Sequence, residues 1–260
     1  MSLRLVLLCF APLVATACAT LHGPAGPVMP DRPGFSDMPG VLPAGAVQVE
    51  SGYTSDRDGA TTYRTTGEAL VRVGTGSGIE LRMFGNSYAV LATAGGTSLR
   101  GMEDSKIGAK VRLTEQPDSV HGLAPTLAFL FATSLPTGAP GIGAGVAQPE
   151  AKLSANWTTS GPLSFAANLG AAKAFDGAAW STLGSAVACT SFDVTEHLSL
   201  FVEGMRAVAL SGPSPAATYV DGGVTVLLGD RLQLDAHIGR GISPGVSAER
   251  SFGFGVARRF

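Results

Sequence analysis

The chain has 260 residues, a formal net charge of −2, 35 glycines and 15% charged residues, with a mean hydropathy of +0.26. A near-neutral balance with no basic cluster along the sequence argues against nucleic acid as partner, because neutralising phosphates needs clustered Lys and Arg. Such hydropathy leaves either spanning helices or strands whose outer face meets lipid; past the N-terminus no window offers the roughly 18 to 20 apolar residues of a spanning helix, so strands remain.

The first segment, residues 1–19, reads as an export signal. Arg4 supplies the positive end, Leu5 to Val14 the apolar stretch, and Ala15-Thr16-Ala17 a small-residue cleavage site. Cleavage after Ala17 or Ala19 is the plain reading, and Ala15-Thr16-Ala17-Cys18 spells a weaker lipoprotein alternative in which Cys18 is acylated. Residues 20–45 form a leader in which Pro24, Pro27, Pro30, Pro33, Pro39 and Pro43 forbid helix or sheet interior. It lies extended in the periplasm or folds into a barrel mouth as a plug.

Residues 46–260 are expected to form the barrel. Charged residues recur at every second position between aliphatic or small ones, the period of a strand with one polar and one apolar face. Ile79, Leu81 and Met83 face one way, and Glu80, Arg82 and Asn86 the other. Ile107, Ala109, Val111 and Leu113 alternate likewise with Lys106, Gly108, Lys110 and Arg112. Twelve strands are predicted, near 46–55, 63–73, 79–88, 102–113, 125–135, 149–159, 163–174, 181–192, 198–208, 218–228, 232–240 and 251–260. Each is about the length that crosses a bilayer at a tilt. Short links at 74–78, 160–162, 194–197 and 229–231 alternate with longer ones at 56–62, 89–101, 136–148, 211–217 and 241–250, as tight periplasmic turns alternate with outer loops in such barrels. The link from Thr114 to Ala124 and the short one near Asp176 break that alternation.

The last strand ends on an aromatic residue, with Phe252, Phe254, Val256 and Phe260 on one face. It looks like the C-terminal sorting strand of bacterial outer-membrane barrels, which implies the barrel assembly machinery as a partner. Arg258 departs from that pattern.

Asp31-Arg32-Pro33-Gly34-Phe35-Ser36-Asp37, followed by Leu42, Pro43, Gly45, Gln48, Glu50, Gly52 and Tyr53, resembles one family: the outer-membrane transporter-like β-barrels named for the meta-pathway of phenol degradation. The likeness continues through Asp104-Ser105-Lys106-Ile107-Gly108, Leu135-Pro136-Thr137-Gly138, Phe201-Val202-Glu203 and Leu232-Gln233-Leu234-Asp235. What the resemblance implies is an outer-membrane channel or uptake protein whose substrate is unsettled.

With the aliphatic register facing lipid, the lumen receives Glu50, Glu68, Arg72, Glu80, Arg82, Lys106, Lys110, Arg112, Glu150, Lys152, Glu203, Asp221 and Asp235. Paired across strands, acids and bases at similar heights set ion and solute preference, or simply satisfy one another. The leader residues Asp31, Arg32, Pro33 and Gly34 plug the pore if they fold against acids such as Glu50 or Glu203. Leu70, Phe84, Leu130, Phe192, Phe201 and Met205 fall on the inward register too, which suggests aromatic or amphipathic solutes unless the register slips at bulges or rims. A sparse aromatic girdle is expected from Trp157, Trp180, Tyr53, Tyr63, Tyr88 and Tyr219.

Cys189 stands alone on a strand, so no disulfide framework is implied. The histidines at 22, 121, 197 and 237 have no metal-ligand spacing, and no nucleotide-binding motif is present, so neither metal nor cofactor is expected. Gly241-Ile242-Ser243-Pro244-Gly245 spells a nucleophile elbow, but Pro244 and a glycine-flanked loop follow where a helix is needed. The reading is a passive outer-membrane channel for small solutes, surrounded by lipid and lipopolysaccharide. A structural barrel with a closed lumen, or a barrel lipase or esterase using His237 and Ser243, stands as alternative.

Overall fold

A computed structural model describes residues 26–96, 98–117, 124–244 and 246–260. The segment expected to be an export signal, Cys18, His22 and His121 lie outside the described residues.

The described residues form fourteen strand segments: β1 (Val47–Asp58), β2 (Thr61–Gly76), β3 (Ile79–Phe84), β4 (Tyr88–Thr93), β5 (Ser98–Met102), β6 (Lys106–Thr114), β7 (Thr126–Ser134), β8 (Pro149–Thr158), β9 (Leu163–Phe175), β10 (Trp180–Thr195), β11 (Leu198–Ser211), β12 (Ala217–Leu227), β13 (Leu232–Gly241) and β14 (Arg250–Arg259). β3 and β4 follow one another along β2 and make one wall strand, interrupted at Gly85-Asn86-Ser87. β5 and β6 make another, interrupted at Glu103-Asp104-Ser105. The result is an antiparallel barrel of twelve strands, closed where β1 pairs with β14 on one side and β2 on the other. Closure leaves no open edge from β1 round to β14, so strand pairing alone satisfies the backbone in lipid.

The burial pattern is that of a soluble protein turned inside out. The largest fully buried side chains include Arg72, Lys110, Gln48, Glu50, Glu80 and Asn168, while Ile238 is 72%, Leu169 62% and Val202 61% exposed. In water such an exterior would be an aggregating surface; in a bilayer it is the surface that lipid covers, and its polar interior is what an aqueous lumen needs.

The rim that holds the start of β1 and the end of β14 carries the tight turns at Ser77-Gly78 and Glu196-His197, which marks it as periplasmic. Several boundaries differ from the sequence reading. The expected long link at 56–62 shrinks to Gly59-Ala60, because polar, β-branched Thr61, Thr62, Thr65 and Thr66 continue the ladder beyond the apolar band. The expected loop at 89–101 is instead the β4–β5 hairpin. Phe192 points outward and is 44% exposed, since its even position on β10 is opposite in phase to the buried Val187 and Cys189. Tyr63 and Tyr219 leave the expected girdle and turn inward, where Tyr63 donates to Glu103 at 2.6 Å and Tyr219 meets Phe35 at 5.9 Å between ring centroids.

Candidate functional site

The leader is the centre of the site. Five prolines from Pro27 to Pro43 keep it out of the sheet, so its amides and carbonyls need other partners. It is anchored at the periplasmic rim at both ends: Val28 N donates to Asp230 O at 2.9 Å in the β12–β13 turn, and Gly45 N to Gly74 O at 2.8 Å. Between these points the chain rises into the lumen and returns. Met38 N donates to Asp31 Oδ1 at 3.0 Å and closes the loop across its base.

Asp31 sits among three cations from the wall. Lys110 Nζ lies 2.9 Å from Asp31 Oδ2 and Arg72 Nη1 3.7 Å, and Arg82 Nη1 is in direct contact with the same oxygen. Arg72 also bonds Glu80 at 2.8 Å and Glu50 at 3.0 Å, and its guanidinium donates to the leader carbonyls of Met29 and Gly40. Lys110 donates to Met38 O at 2.7 Å. Burial disfavours the Asp31 charge, yet Arg72, Lys110 and Arg82 together outweigh it and hold this carboxylate well below its ordinary pKa. A depressed folded pKa gives stabilisation that is fully present above the ordinary carboxylate value and is lost only as pH falls through the lowered one. The docked leader is therefore expected to persist unchanged from pH 7 to pH 5 in single-channel recordings. Opening within that window would assign closure to a group other than Asp31.

Arg32 reaches the opposite wall, with Glu68 at 2.7 Å, Asp235 at 3.5 Å and the Phe254 carbonyl at 3.2 Å. Two glycines make room for it. Gly52 of β1 and Gly255 of β14 are direct cross-strand partners, and a Cβ on either would lie 2.2 to 2.3 Å from the Arg32 side chain. Glu68 is aimed at Arg32 by a bulge in β2, where Gly67 and Glu68 take positive φ and the pairing with β1 shifts.

At the loop tip the Glu203 carboxylate accepts the amides of Phe35 and Ser36. Asp37 pairs with Lys152 and, at 3.5 Å, with Arg82; Asn168 accepts the Asp37 amide at 2.7 Å and donates to its carbonyl at 2.9 Å. The returning arm passes so close to β2 that a Cβ on Gly74 would fall 2.0 Å from the Pro43 carbonyl oxygen. That contact is with backbone and cannot swing away. Gly74→Ala is expected to destabilise the docked arm by about 1–3 kcal/mol, seen as earlier protease cleavage within residues 26–45; an unchanged cleavage rate would remove the close contact from the account.

Of the other candidate wall residues, Asp221 pairs with His237 at 2.8 Å, and Lys106 with Glu150 at 2.9 Å, both apart from the leader's own ion pairs. Arg112 meets Glu115 at 3.2 Å near the periplasmic end of β6 and joins no leader contact. Leu70 and Leu130 are buried among the inward residues, and Phe84 lies under the Arg82 and Lys106 cations. Asn168 and Ser154 were not singled out from the sequence, and Gln48 and Asp37 were named only within the family likeness, although Gln48 keeps the same alternation as Glu50 and Asn168 falls on the buried phase of β9. Ser243 lies in the β13–β14 link, where its hydroxyl accepts the Thr218 amide at 2.9 Å, and no described helix follows it.

Above the tip lies a cavity of about 1330 Å³, lined by Arg32, Asp37, Glu68, Arg82, Lys106 and Glu150 together with the link from β7 to β8. Asp104 folds that link inward by accepting Gly138 N at 2.7 Å and Ala144 N at 2.8 Å. The Asp104-Ser105 and Thr137-Gly138 stretches thus meet in space, with Thr137 Oγ1 accepting the Ser105 amide at 2.9 Å.

Closed strands, a lipid-facing exterior and a charged interior define a transmembrane β-barrel of the bacterial outer-membrane kind, with its N-terminal segment housed inside. The chain belongs to the family described as "Putative MetA-pathway of phenol degradation", which matches residues 30–260. Among solved structures it is similar to the COG4313 outer membrane channel from Pseudomonas putida F1, with a TM-score of 0.67 at 12% identity over 88% of this chain and 99% of that one. It is also similar to the KdgM porin solved in complex with disordered oligogalacturonate, with a TM-score of 0.54 at 9% identity over 83% of this chain and 99% of that one. At these identities the likeness is one of fold. No curated protein matches the chain in sequence.

Proposed function

We propose that the protein is a passive outer-membrane channel for small solutes, held closed by its leader and opened when the leader leaves the lumen. The observation that carries this reading is the clamp on Asp31: the occluding segment is fastened by ion pairs and backbone hydrogen bonds to Arg72, Arg82 and Lys110 rather than by an apolar core. An ionic latch exchanges with water on release, whereas an apolar plug would expose greasy surface. No reaction is assigned to the lumen, and the solute class is set by the cavity above the tip.

That cavity is richer in carboxylates than in cations. Asp37, Glu68, Glu103, Asp104, Glu150 and Asp176 line it against Arg32, Arg82, Lys106 and Lys173. Rings of fixed negative charge favour cations in a pore. The open channel is expected to prefer cations, read as the sign of the reversal potential in a salt gradient across a planar bilayer; an anion-selective potential would contradict it. Liposome swelling with sugars, amino acids and aromatic acids defines the solute. A barrel that passes none of them, and shows no conductance even with the leader cut, is the closed structural barrel instead.

A further inference from the structure

The strand register assembles on the outer surface a group that the sequence scatters. Arg57 of β1 pairs directly with Arg250 of β14, and Arg250 pairs in turn with Arg240 of β13. All three point outward, since they alternate in phase with Tyr53, Ile238 and Phe252 rather than with the buried Glu50, His237 and Ala257, and all three are exposed. Arg64 of β2 lies beside them, opposite Ser55 and so next to the Phe252 rung.

Side chains paired this way stand about 4.5–5.5 Å apart at Cβ, and like charges so placed repel. None of the four arginines has a carboxylate partner among the described residues. Glu249, adjacent to Arg250, turns to the Gly59 amide at 3.4 Å, and Asp58 falls on the other phase of β1. A row of three unneutralised guanidinium groups is a feature that an anion must complete.

Its height says which anion. β14 runs 10 residues from Arg250 to Arg259, about the 9–11 that cross the hydrocarbon at a tilt. With the Phe260 end at the periplasmic rim, and with Val256, Phe254 and Phe252 facing lipid between, the arginine row stands at the headgroups of the outer leaflet. Below it a cavity of about 1230 Å³ on this side of the barrel is lined by the four arginines and by apolar Val202, Val220, Ile238 and Phe252. A cationic rim over an apolar wall fits a lipid that carries phosphate on its headgroup and acyl chains beneath. Arginine's planar fork suits phosphate in two-point contact better than lysine does.

We propose that this face is a binding site for the phosphorylated glycolipid of the outer leaflet, lipid A, with a phosphate bridging Arg57, Arg250 and Arg240 and an acyl chain along Ile238 and Phe252. The site rests on the outer-membrane fold and is independent of transport.

The test uses the full-length protein in detergent, with lipids added back and binding counted by native mass spectrometry. Bisphosphorylated lipid A is expected to bind and to raise the midpoint of heat unfolding, and lipid A of the same acylation stripped of phosphate is not. The triple variant Arg57→Gln, Arg240→Gln, Arg250→Gln is expected to bind about tenfold more weakly while keeping its folded mobility on unheated gels. Should that variant not fold, the comparison of phosphorylated with dephosphorylated lipid on the wild-type protein still decides. Equal binding of those two lipids, undiminished binding by a folded triple variant, or equal competition by phosphatidylglycerol or inorganic phosphate would overturn the proposal.

Discussion

Exchange of Asp31 for Asn is expected to open the channel. Among the described residues, Asp31 is the one carboxylate in ion-pair contact with Arg72, Arg82 and Lys110 together, and the side chains of these cations are at most 4% exposed. Arg72 keeps Glu50 and Glu80 after the exchange. Lys110 keeps only the leader carbonyls of Met38 and Gly40 as hydrogen-bond partners among the described residues. A buried cation stripped of its partner costs about 3–5 kcal/mol, and the cheapest escape is for the leader to leave and let water reach the ammonium. The docked population then falls by about two to four orders of magnitude. Single-channel traces are expected to change from mostly closed to mostly open, with the barrel's heat-resistant gel mobility preserved. A variant that stays as closed as the wild type removes Asp31 from the latch.

Removing residues 26–41 altogether tests the same idea from the other side. The barrel is closed by β1 pairing with β14 and β2, neither of which needs the leader, so the shortened protein is expected to fold. Conductance is expected to rise several-fold and to lose its closed level. Selectivity is expected to match that of the opened full-length channel, because in both the leader has left the lumen and Arg72, Arg82 and Lys110 face the pore. The cation preference set by the wall carboxylates Glu68, Glu103, Asp104, Glu150 and Asp176 is therefore expected to remain. Unchanged conductance would exclude occlusion by the leader, and a selectivity different from that of the opened full-length channel would mean that opening does not clear the leader from the pore.

The barrel could be read from the chain because alternation is a local property. Ile79-Glu80-Leu81-Arg82-Met83 states which side meets lipid without reference to any other strand, and Leu81 at 52% exposure beside Glu80 at 0% shows the phase that resulted. Boundaries were harder where composition is ambiguous. Tyr88 to Met102 is rich in Ala, Thr, Ser and Gly and reads as a loop, yet Ala89 is fully buried because the hairpin extends β2 above the bilayer. Wall charges such as Glu80, Arg82 and Lys110 follow from the same alternation. Their partners do not. Asp31 reaches Lys110 across 79 residues, and Arg32 reaches Asp235 across 203; which leader atom meets which wall atom depends on barrel closure, strand stagger and the Gly67-Glu68 bulge, none of which a single segment encodes. Gly52 and Gly255 look like ordinary strand glycines until the guanidinium between them is seen.

The wiring of the leader also sets an order of assembly. Its partners include Glu203, Asp235 and Arg259, contributed by strands from the far end of the chain. Contacts between segments so distant in sequence form late, since the intervening polypeptide must be organised before they can be made. The leader, though it precedes every strand in the chain, is thus among the last parts to find its place, and a newly closed cylinder passes through an interval in which its bore is unobstructed.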